Sequence, residues 1–432
     1  MVLIYSPEQS PRLSYITKFI FSDVLHGSCA ITSSKEEFAA FPGPKINYSK
    51  ESLGGLTIRP QLLLFERDIH DFLPEFGVVN DMFVLFPVTE EFCLPFDPFA
   101  ASFFMISRYE EYLPQPLDKH KRVLIANSVA YRYGFFDKPV VDHWALWLKD
   151  LLLENFPSFH FSERYYRFTP TIDVDIAFAY RHRTVLRTSC AALKAMLKGD
   201  VNDTVRRFQT LVLKKTDPYD CFDQVTGWFN KFKLDPKYFF LLGKYGEFDK
   251  NISPSHPAMK ELVDKIHQEY EVGIHPSYGS EGNGKLLQSE ISTLEKLLNS
   301  KVTISRQHFL KLRFPETYRL LIENGIEEDY TMGQASLPGF RAGTCTPFLF
   351  YDIHRESETT LRIFPFQVMD GTLNQYMKLS PSEAMEVCKN LIREVKKVNG
   401  TFVSLWHNES LSEMREWKGW SEVFYKHLEE AL

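Results

Sequence analysis

The 432-residue chain reads as an α/β protein: a (β/α) barrel over residues 161–432, preceded by a smaller mixed α/β domain over residues 1–160. Three observations predict this. From about residue 163, extended apolar runs alternate with helical spacing, the pattern of a parallel sheet with helices outside it. Seven extended runs occur, at 165–175, 237–242, 271–275, 302–306, 325–329, 361–368 and 401–406. Reactive polar side chains then fall at the C-terminal ends of those runs, where barrels of this kind keep their chemistry.

In chain order, residues 1–160 carry short apolar runs at 62–65 and 82–88, separated by turns that bear Pro and Gly. The stretch 97–104 leads into 108–114, which reads as helical until Pro114 stops it. A helix near 144–153 places Trp144, Leu148 and Leu151 on one side, and Asn155-Phe156-Pro157-Ser158 marks the domain boundary. Beyond it, 257–270 carries Met259, Leu262, Val263, Ile266 and Tyr270 at helical spacing. Residues 286–298 do the same with Leu287, Ile291, Leu294 and Leu298. A helix over 315–324 ends at Gly325, a natural residue for the left-handed step that closes a helix. The clearest helix is 381–398: Ser380 caps it, Pro381 opens its first turn, and Glu383 completes a capping box.

With 44% hydrophobic and 25% charged residues, the chain can bury a sizeable core. The 37 Phe are core residues first and sugar-stacking surfaces second. A formal charge of −6 argues against a nucleic-acid surface. The six Cys, at 29, 93, 190, 221, 345 and 388, lack CxxC spacing and read as reduced thiols. The opening residues have no basic stretch followed by an apolar core, so no signal peptide is read. No uncharged apolar run reaches the length of a membrane span. These features predict a cytoplasmic protein and leave its oligomeric state open.

The chemistry begins at Thr171-Ile172-Asp173-Val174-Asp175. Side chains two apart on a strand leave the same face, so Asp173 and Asp175 point together. Two such charges persist most readily where a cation neutralises them or one holds a proton. His275 ends the third run, Arg306 and His308 follow the fourth, Asp329 ends the fifth, Asp370 follows the sixth and His407 the seventh. One Asp with two neutral His gives Zn²⁺ or a similar ion three ligands and leaves a position open for water. A second carboxylate can take a proton from that water, and a His opposite can protonate a leaving group.

At these residues the chain resembles the polysaccharide deacetylases, the carbohydrate esterases related to the NodB chitooligosaccharide deacetylase. Thr171-Ile172-Asp173-Val174-Asp175 resembles their Thr-Phe-Asp-Asp motif, His275 opens their second motif, Arg306 stands where the third supplies an Arg, and Leu405-Trp406-His407 is similar to the last. The resemblance covers roughly 163–432 and implies a distorted (β/α)7 barrel. Gly339-Phe340-Arg341-Ala342-Gly343-Thr344, Met369-Asp370-Gly371-Thr372-Leu373 and Asp97-Pro98-Phe99 resemble a bacterial branch with an extra N-terminal domain. The pattern departs in three places: Val174 separates the two Asp, Gly279 replaces a second His, and Gln307-His308-Phe309 replaces a Pro-Tyr.

The roles expected are therefore these. Asp175, His275 and His308 hold a divalent metal, Zn²⁺ first, with Co²⁺, Ni²⁺ and Mn²⁺ open; His308 supplies the missing imidazole from the neighbouring strand end. Asp173 is the general base, Arg306 orients it, and His407 is the general acid. Tyr278, or a backbone N–H beside it, helps stabilise the oxyanion. Arg341 faces Asp370 or an anionic substrate, or it pins a long loop through an Arg–Asp salt bridge. Asp329 lines the site or caps the next turn, and Trp406 offers a sugar-stacking face or joins the core. The leading function is metal-dependent removal of an acetyl or other acyl group from an amino sugar, oligosaccharide or polysaccharide precursor. A catalytically inactive carbohydrate-binding or assembly protein, and an amidase for non-sugar C–N bonds, are the alternatives.

Overall fold

The computed structural model describes residues 1–90, 94–197 and 199–432; Cys93, counted above among the thiols, lies outside them. The N-terminal part is built on four parallel strands, β1 (Val2–Tyr5), β2 (Cys29–Thr32), β3 (Lys45–Tyr48) and β4 (Leu56–Ile58), in the order β2-β1-β3-β4. A separate antiparallel pair, β5 (Phe76–Val79) and β6 (Met82–Leu85), follows. Asp97 caps the helix Pro98–Ile106 by accepting from the N–H groups of Phe99 and Ala100, and every residue of that helix is buried. The helix does not run on to Pro114 as the sequence suggested. Arg108 takes a left-handed conformation (φ 55°), and a short 3₁₀ turn, Tyr109–Tyr112, replaces the second half. The side chain of Arg108 accounts for the break, because it bonds Glu110 at 2.6 Å and Glu111 at 2.9 Å inside the protein.

The second part carries a nine-stranded sheet: β7 (Arg167–Val174), β8 (Lys237–Leu241), β9 (Glu271–His275), β10 (Ile304–Ser305), β11 (Glu328–Asp329), β12 (Phe348–Asp352), β13 (Ser357–Ile363), β14 (Val368–Met369) and β15 (Thr401–His407). Their order is β12-β13-β11-β10-β9-β8-β7-β15-β14, and every pairing is parallel except β12 with β13. The count of seven is thus a correction. One expected run, 361–368, is divided between β13, which pairs with β11, and β14, which pairs with β15. The antiparallel edge strand β12 was not foreseen. Between β13 and β14, the Phe364 N–H donates to Asp329 O and the Gln367 N–H to Val403 O, so one stretch of chain serves both ends of the ladder.

The expected helices are present as Pro257–His267, Gly284–Leu298, Glu316–Glu323 and Pro381–Lys397. Both halves of the Ser380/Glu383 capping box form, and Gly325 takes φ +79° past its helix. Residues 176–236, where no element is expected from the pattern, hold three more helices: Val185–Leu197, Val201–Leu211 and Phe222–Phe232. Strand β9 needs its glycine, since a Cβ at Gly273 would lie 2.5 Å from Ile304 Cγ1 and 2.6 Å from Ile304 O. The close approach of β9 and β10 brings His275 and the loop after β10 together. The main hydrophobic cluster runs without interruption from the first part to the second, with Tyr15 and Phe103 packed on Tyr351 at 4.8 and 5.3 Å.

Candidate functional site

Asp175 lies one residue beyond β7, His275 closes β9 and His308 lies three residues beyond β10. Strands β9 and β10 are neighbours, and β8 stands between β7 and β9, so all three residues lie at the C-terminal ends of strands of one parallel run. One donor atom from each lies within 4.8 Å of the others. His275 Nε2 stands 3.2 Å from Asp175 Oδ1, and His308 Nε2 stands 3.3 Å from Asp175 Oδ2. What aims these atoms is the other nitrogen of each ring. His275 Nδ1 bonds the Arg306 carbonyl oxygen at 2.5 Å, and His308 Nδ1 bonds Asp249 Oδ1 at 2.9 Å. With Nδ1 carrying the proton in both cases, each Nε2 turns a lone pair toward Asp175. Asp175 Oδ1 is accordingly buried without a hydrogen-bond donor. Two lone pairs and an orphaned carboxylate oxygen converging on one point fit a divalent cation.

The electrostatics agree. Burial works against the Asp175 charge, but His308 and His275 outweigh it and hold its pKa well below the usual range. Burial would lower the pKa of His308; Asp175 and Asp249 overcome that and raise it to about 9. Without an ion, a proton on His308 takes the cation's place.

Around this cluster stand two side-chain pairs. Arg306 is fully buried; one of its N–H groups donates to Asp173 Oδ1 at 2.8 Å and another contact from the same nitrogen reaches Thr171 Oγ1 at 2.6 Å. Its Nε donates to Tyr330 O, and the guanidinium lies 4.7 Å over the Phe239 ring. Asp173 Oδ2 is 3.7 Å from His275 Nε2. On the other side, His407 Nε2 is 3.8 Å from Asp175 Oδ2, and Asp370 grips His407 twice: Oδ1 bonds Nδ1 at 2.8 Å, and Oδ2 accepts the backbone N–H at 2.7 Å. Burial lowers the His407 pKa, but Asp370 first, with Asp175 and Asp173, carries it well above the ordinary imidazole value. Asp173, Asp175, His275, His308 and His407 face a cavity of about 260 Å³, walled by Phe248, Phe309, Tyr376, Leu405 and Trp417.

Four expected site residues stand elsewhere. Arg341 faces neither Asp370 nor the cavity; it is buried against Glu111 of the N-terminal part, at 2.6 and 2.9 Å, and bonds Gly333 O. Burial raises the Glu111 pKa, yet Arg341 and Arg108 bring it down to about 2. Trp406 is turned away from the cavity because strand side chains alternate: Leu405 and His407 line it, and Trp406 packs on Phe424 at 5.0 Å and on His427 at 5.6 Å. Asp329 caps the turn that follows it, accepting from Ser305 Oγ and from Thr331 N–H and Oγ–H. The Tyr278 hydroxyl points to His120 Nδ1, and its N–H is committed to Asp249, so neither is free for an oxyanion.

Three groups were missed. Asp249 sits in the loop after β8, the one early run for which no strand-end residue had been named; that gap was the available signal. Glu409 lines the cavity two residues after His407, and burial, then Asp175, raises its pKa to about 7. Arg122 reaches in from the N-terminal part, held by Asp118 and donating to Phe309 O and the Tyr376 hydroxyl.

Taken together, the fold and site define a parallel-rich α/β protein with a carboxylate–imidazole cluster at its strand ends. Residues 2–157 match the model of a family of unknown function, DUF7033. No curated protein matches the chain. Its neighbours among solved structures include polysaccharide deacetylases at low identity. A protein described as a polysaccharide deacetylase from Mycobacterium smegmatis is 12% identical, with a TM-score of 0.40 over 62% of this chain and 84% of that one. A CE4 family pseudoenzyme from Bacillus anthracis is also 12% identical, with a TM-score of 0.31 over 62% of each chain. The carbohydrate deacetylase Agd3 is 8% identical, with a TM-score of 0.39 over 68% of this chain and 54% of its own.

Proposed function

We propose that the protein is a metal-dependent hydrolase that removes an acetyl or other acyl group from an amino sugar or polysaccharide precursor. The observation that carries this reading is the Asp175, His275 and His308 cluster standing between Asp173–Arg306 and His407–Asp370. Asp175, His275 and His308 would hold the ion, Zn²⁺ before Co²⁺, Ni²⁺ or Mn²⁺ on the character of the donor set. Bound there, it supplies a Lewis acid that polarises an acyl carbonyl and lowers the pKa of a water. Asp173, fixed by Arg306, is placed to accept a proton as general base. His407, kept protonated by Asp370, is placed to give one to the departing amine or alcohol as general acid.

A cavity of about 260 Å³ with aromatic walls suits a sugar unit, and Arg122 and Lys250 supply cationic edges to it. The fold belongs to the same proposal: a distorted (β/α)7-type barrel in which the run 361–368, divided between β13 and β14, counts as one stave and the antiparallel β12 is an added edge, after an N-terminal domain over residues 1–160. Among the described residues no helix is long and apolar enough to cross a membrane, and Cys29, Cys190, Cys221, Cys345 and Cys388 are free. The free thiols favour the cytoplasm as the working compartment. The test is metal analysis of protein purified without added ions, beside acetate release from mixed acetylated oligosaccharides. Asp175→Asn and His308→Ala should lose metal and acetate release together. Full metal occupancy in His308→Ala would show the ligand set to be wrong.

A further inference from the structure

The two helices Val185–Leu197 and Val201–Leu211 are packed inside out. In the first, Leu186, Cys190, Leu193 and Leu197 recur at helical spacing and form one apolar face, which lies in solvent; Leu186 and Leu197 are 74% and 80% exposed. The side turned inward is instead small, with Ala195 buried and Thr188 and Ala191 half-buried. In the second helix Val201, Val205, Phe208 and Val212 make the exposed stripe, while Asp203, Arg207 and Thr210 are buried. That polar side is held by bonds: Tyr180 Oη and Arg207 to Asp203, and Arg415 to Asp200 and Asp203. Among the described residues, eleven of the 23 large hydrophobic side chains in solvent fall between 185 and 213. A monomer in water does not keep such a face open without a use for it.

Charge says what covers it. Residues 181–215 hold nine Lys and Arg against two Asp, a net of +7 in a chain whose formal charge is −6. Both Asp are already paired, and Lys194, Lys214 and Lys215 are exposed beside the apolar stripes. A second copy of the chain would bring the same positive segment against this one, and like charges oppose that contact. Exposed Leu and Phe flanked by Lys and Arg are what an anionic bilayer takes up: apolar groups enter the headgroup boundary and cations meet lipid phosphate. We propose that this helical hairpin is a docking surface for an anionic phospholipid membrane. It holds the body of the protein through Arg187, stacked 3.5 Å over Tyr245, and through Arg415, and it follows the strand that delivers Asp173 and Asp175. Ile176 lines both the cavity and a hollow walled by Ala191, Ala195 and Arg207 of the hairpin.

The experiment is sedimentation of the full chain with large unilamellar vesicles of phosphatidylcholine and phosphatidylglycerol in equal parts, and of phosphatidylcholine alone, at low and at high salt. Binding is expected to the mixed vesicles and to weaken at high salt. Leu193→Glu with Phe208→Glu should abolish it, and Lys214→Glu with Lys215→Glu should weaken it about tenfold or more. Circular dichroism and thermal melting should be unchanged in both variants, since the four side chains are exposed. Failure to sediment with mixed vesicles, or sedimentation indifferent to Leu193→Glu with Phe208→Glu, overturns the proposal. So does self-association in sedimentation velocity that this double substitution abolishes while vesicles are ignored, which would make the hairpin a contact between copies. None of these readouts depends on hydrolase activity.

Discussion

Removing the Asp249 carboxylate should weaken divalent-cation binding at the proposed site without touching a proposed ligand. Asp249 Oδ1 takes the Nδ1 proton of His308 at 2.9 Å and the Tyr278 N–H at 3.1 Å, so Asp249→Ala frees the ring to rotate and to exchange tautomers. Loss of such a partner typically costs about 10–100-fold in metal affinity, or roughly 1.4–2.8 kcal/mol. Asp249→Asn keeps an acceptor but not its charge, and should fall between wild type and Ala. A second signature follows from the proton that the ion must displace. The pKa of His308 is about 9 in the metal-free protein, so below that pH binding at Nε2 expels a proton. Apparent affinity should climb about tenfold per pH unit from neutrality toward pH 9 and then flatten. Asp249→Ala removes one of the two carboxylates that raise this pKa, so the plateau should begin at a lower pH. Isothermal titration with Zn²⁺ in buffers of different ionisation heat measures both affinity and proton release. Unchanged affinity in Asp249→Ala, or no proton release at pH 7, would refute the geometry assigned to His308.

Three further outcomes are expected. His407→Ala should keep its metal while turnover falls about 10²–10⁴-fold, and Asp370→Asn should move the basic limb of the kcat/KM profile to lower pH, because Asp370 is the chief group raising the His407 pKa. His427 is buried without a partner for either ring nitrogen, and burial lowers its pKa to about 3; the unfolded chain therefore binds its proton first, and stability is whole above pH about 6.5 and falls on acidification toward pH 3 by about 1.4 kcal/mol per unit. His427→Phe should flatten that slope in urea melts at pH 5 and 7. Arg122→Ala should raise KM roughly tenfold, the worth of one charge-assisted hydrogen bond, with kcat little changed in a steady-state assay.

The residues legible from sequence are those fixed by strand geometry. Asp175, His275 and His308 come together because β7, β8, β9 and β10 run parallel in one sheet, with β9 and β10 adjacent, and because residues at a strand's end cannot wander far from it. Asp249 stands eight residues beyond Leu241, where no periodicity constrains position, and only the folded loop returns it to His308. Arg341 does form a loop-pinning salt bridge, one of the two readings, but with Glu111 in place of Asp370. A loop between glycines gives no direction to its side chain, and its partner Glu111 lies 230 residues upstream. For Trp406 the sequence left a sugar-stacking face and the core both open, and strand alternation, which points Leu405 and His407 to the cavity, decides for the core. The helices of 185–211 carry an ordinary amphipathic pattern; nothing in such a pattern says which face the fold will bury.

The buried bonds that cross from the first part to the second have a consequence for how the chain is made. Asp142, out of contact with water, accepts from the Thr344 hydroxyl, the Cys345 N–H, the Thr346 hydroxyl and Arg164. Arg12 meets Glu356, and Glu111 meets Arg341. As translation proceeds, the leading third of the polypeptide carries three interior charges whose full complement of partners has not left the ribosome until residue 356 emerges. A nascent chain shorter than that should stay open to protease at these positions, and its early sheet should lock only when the later segment arrives.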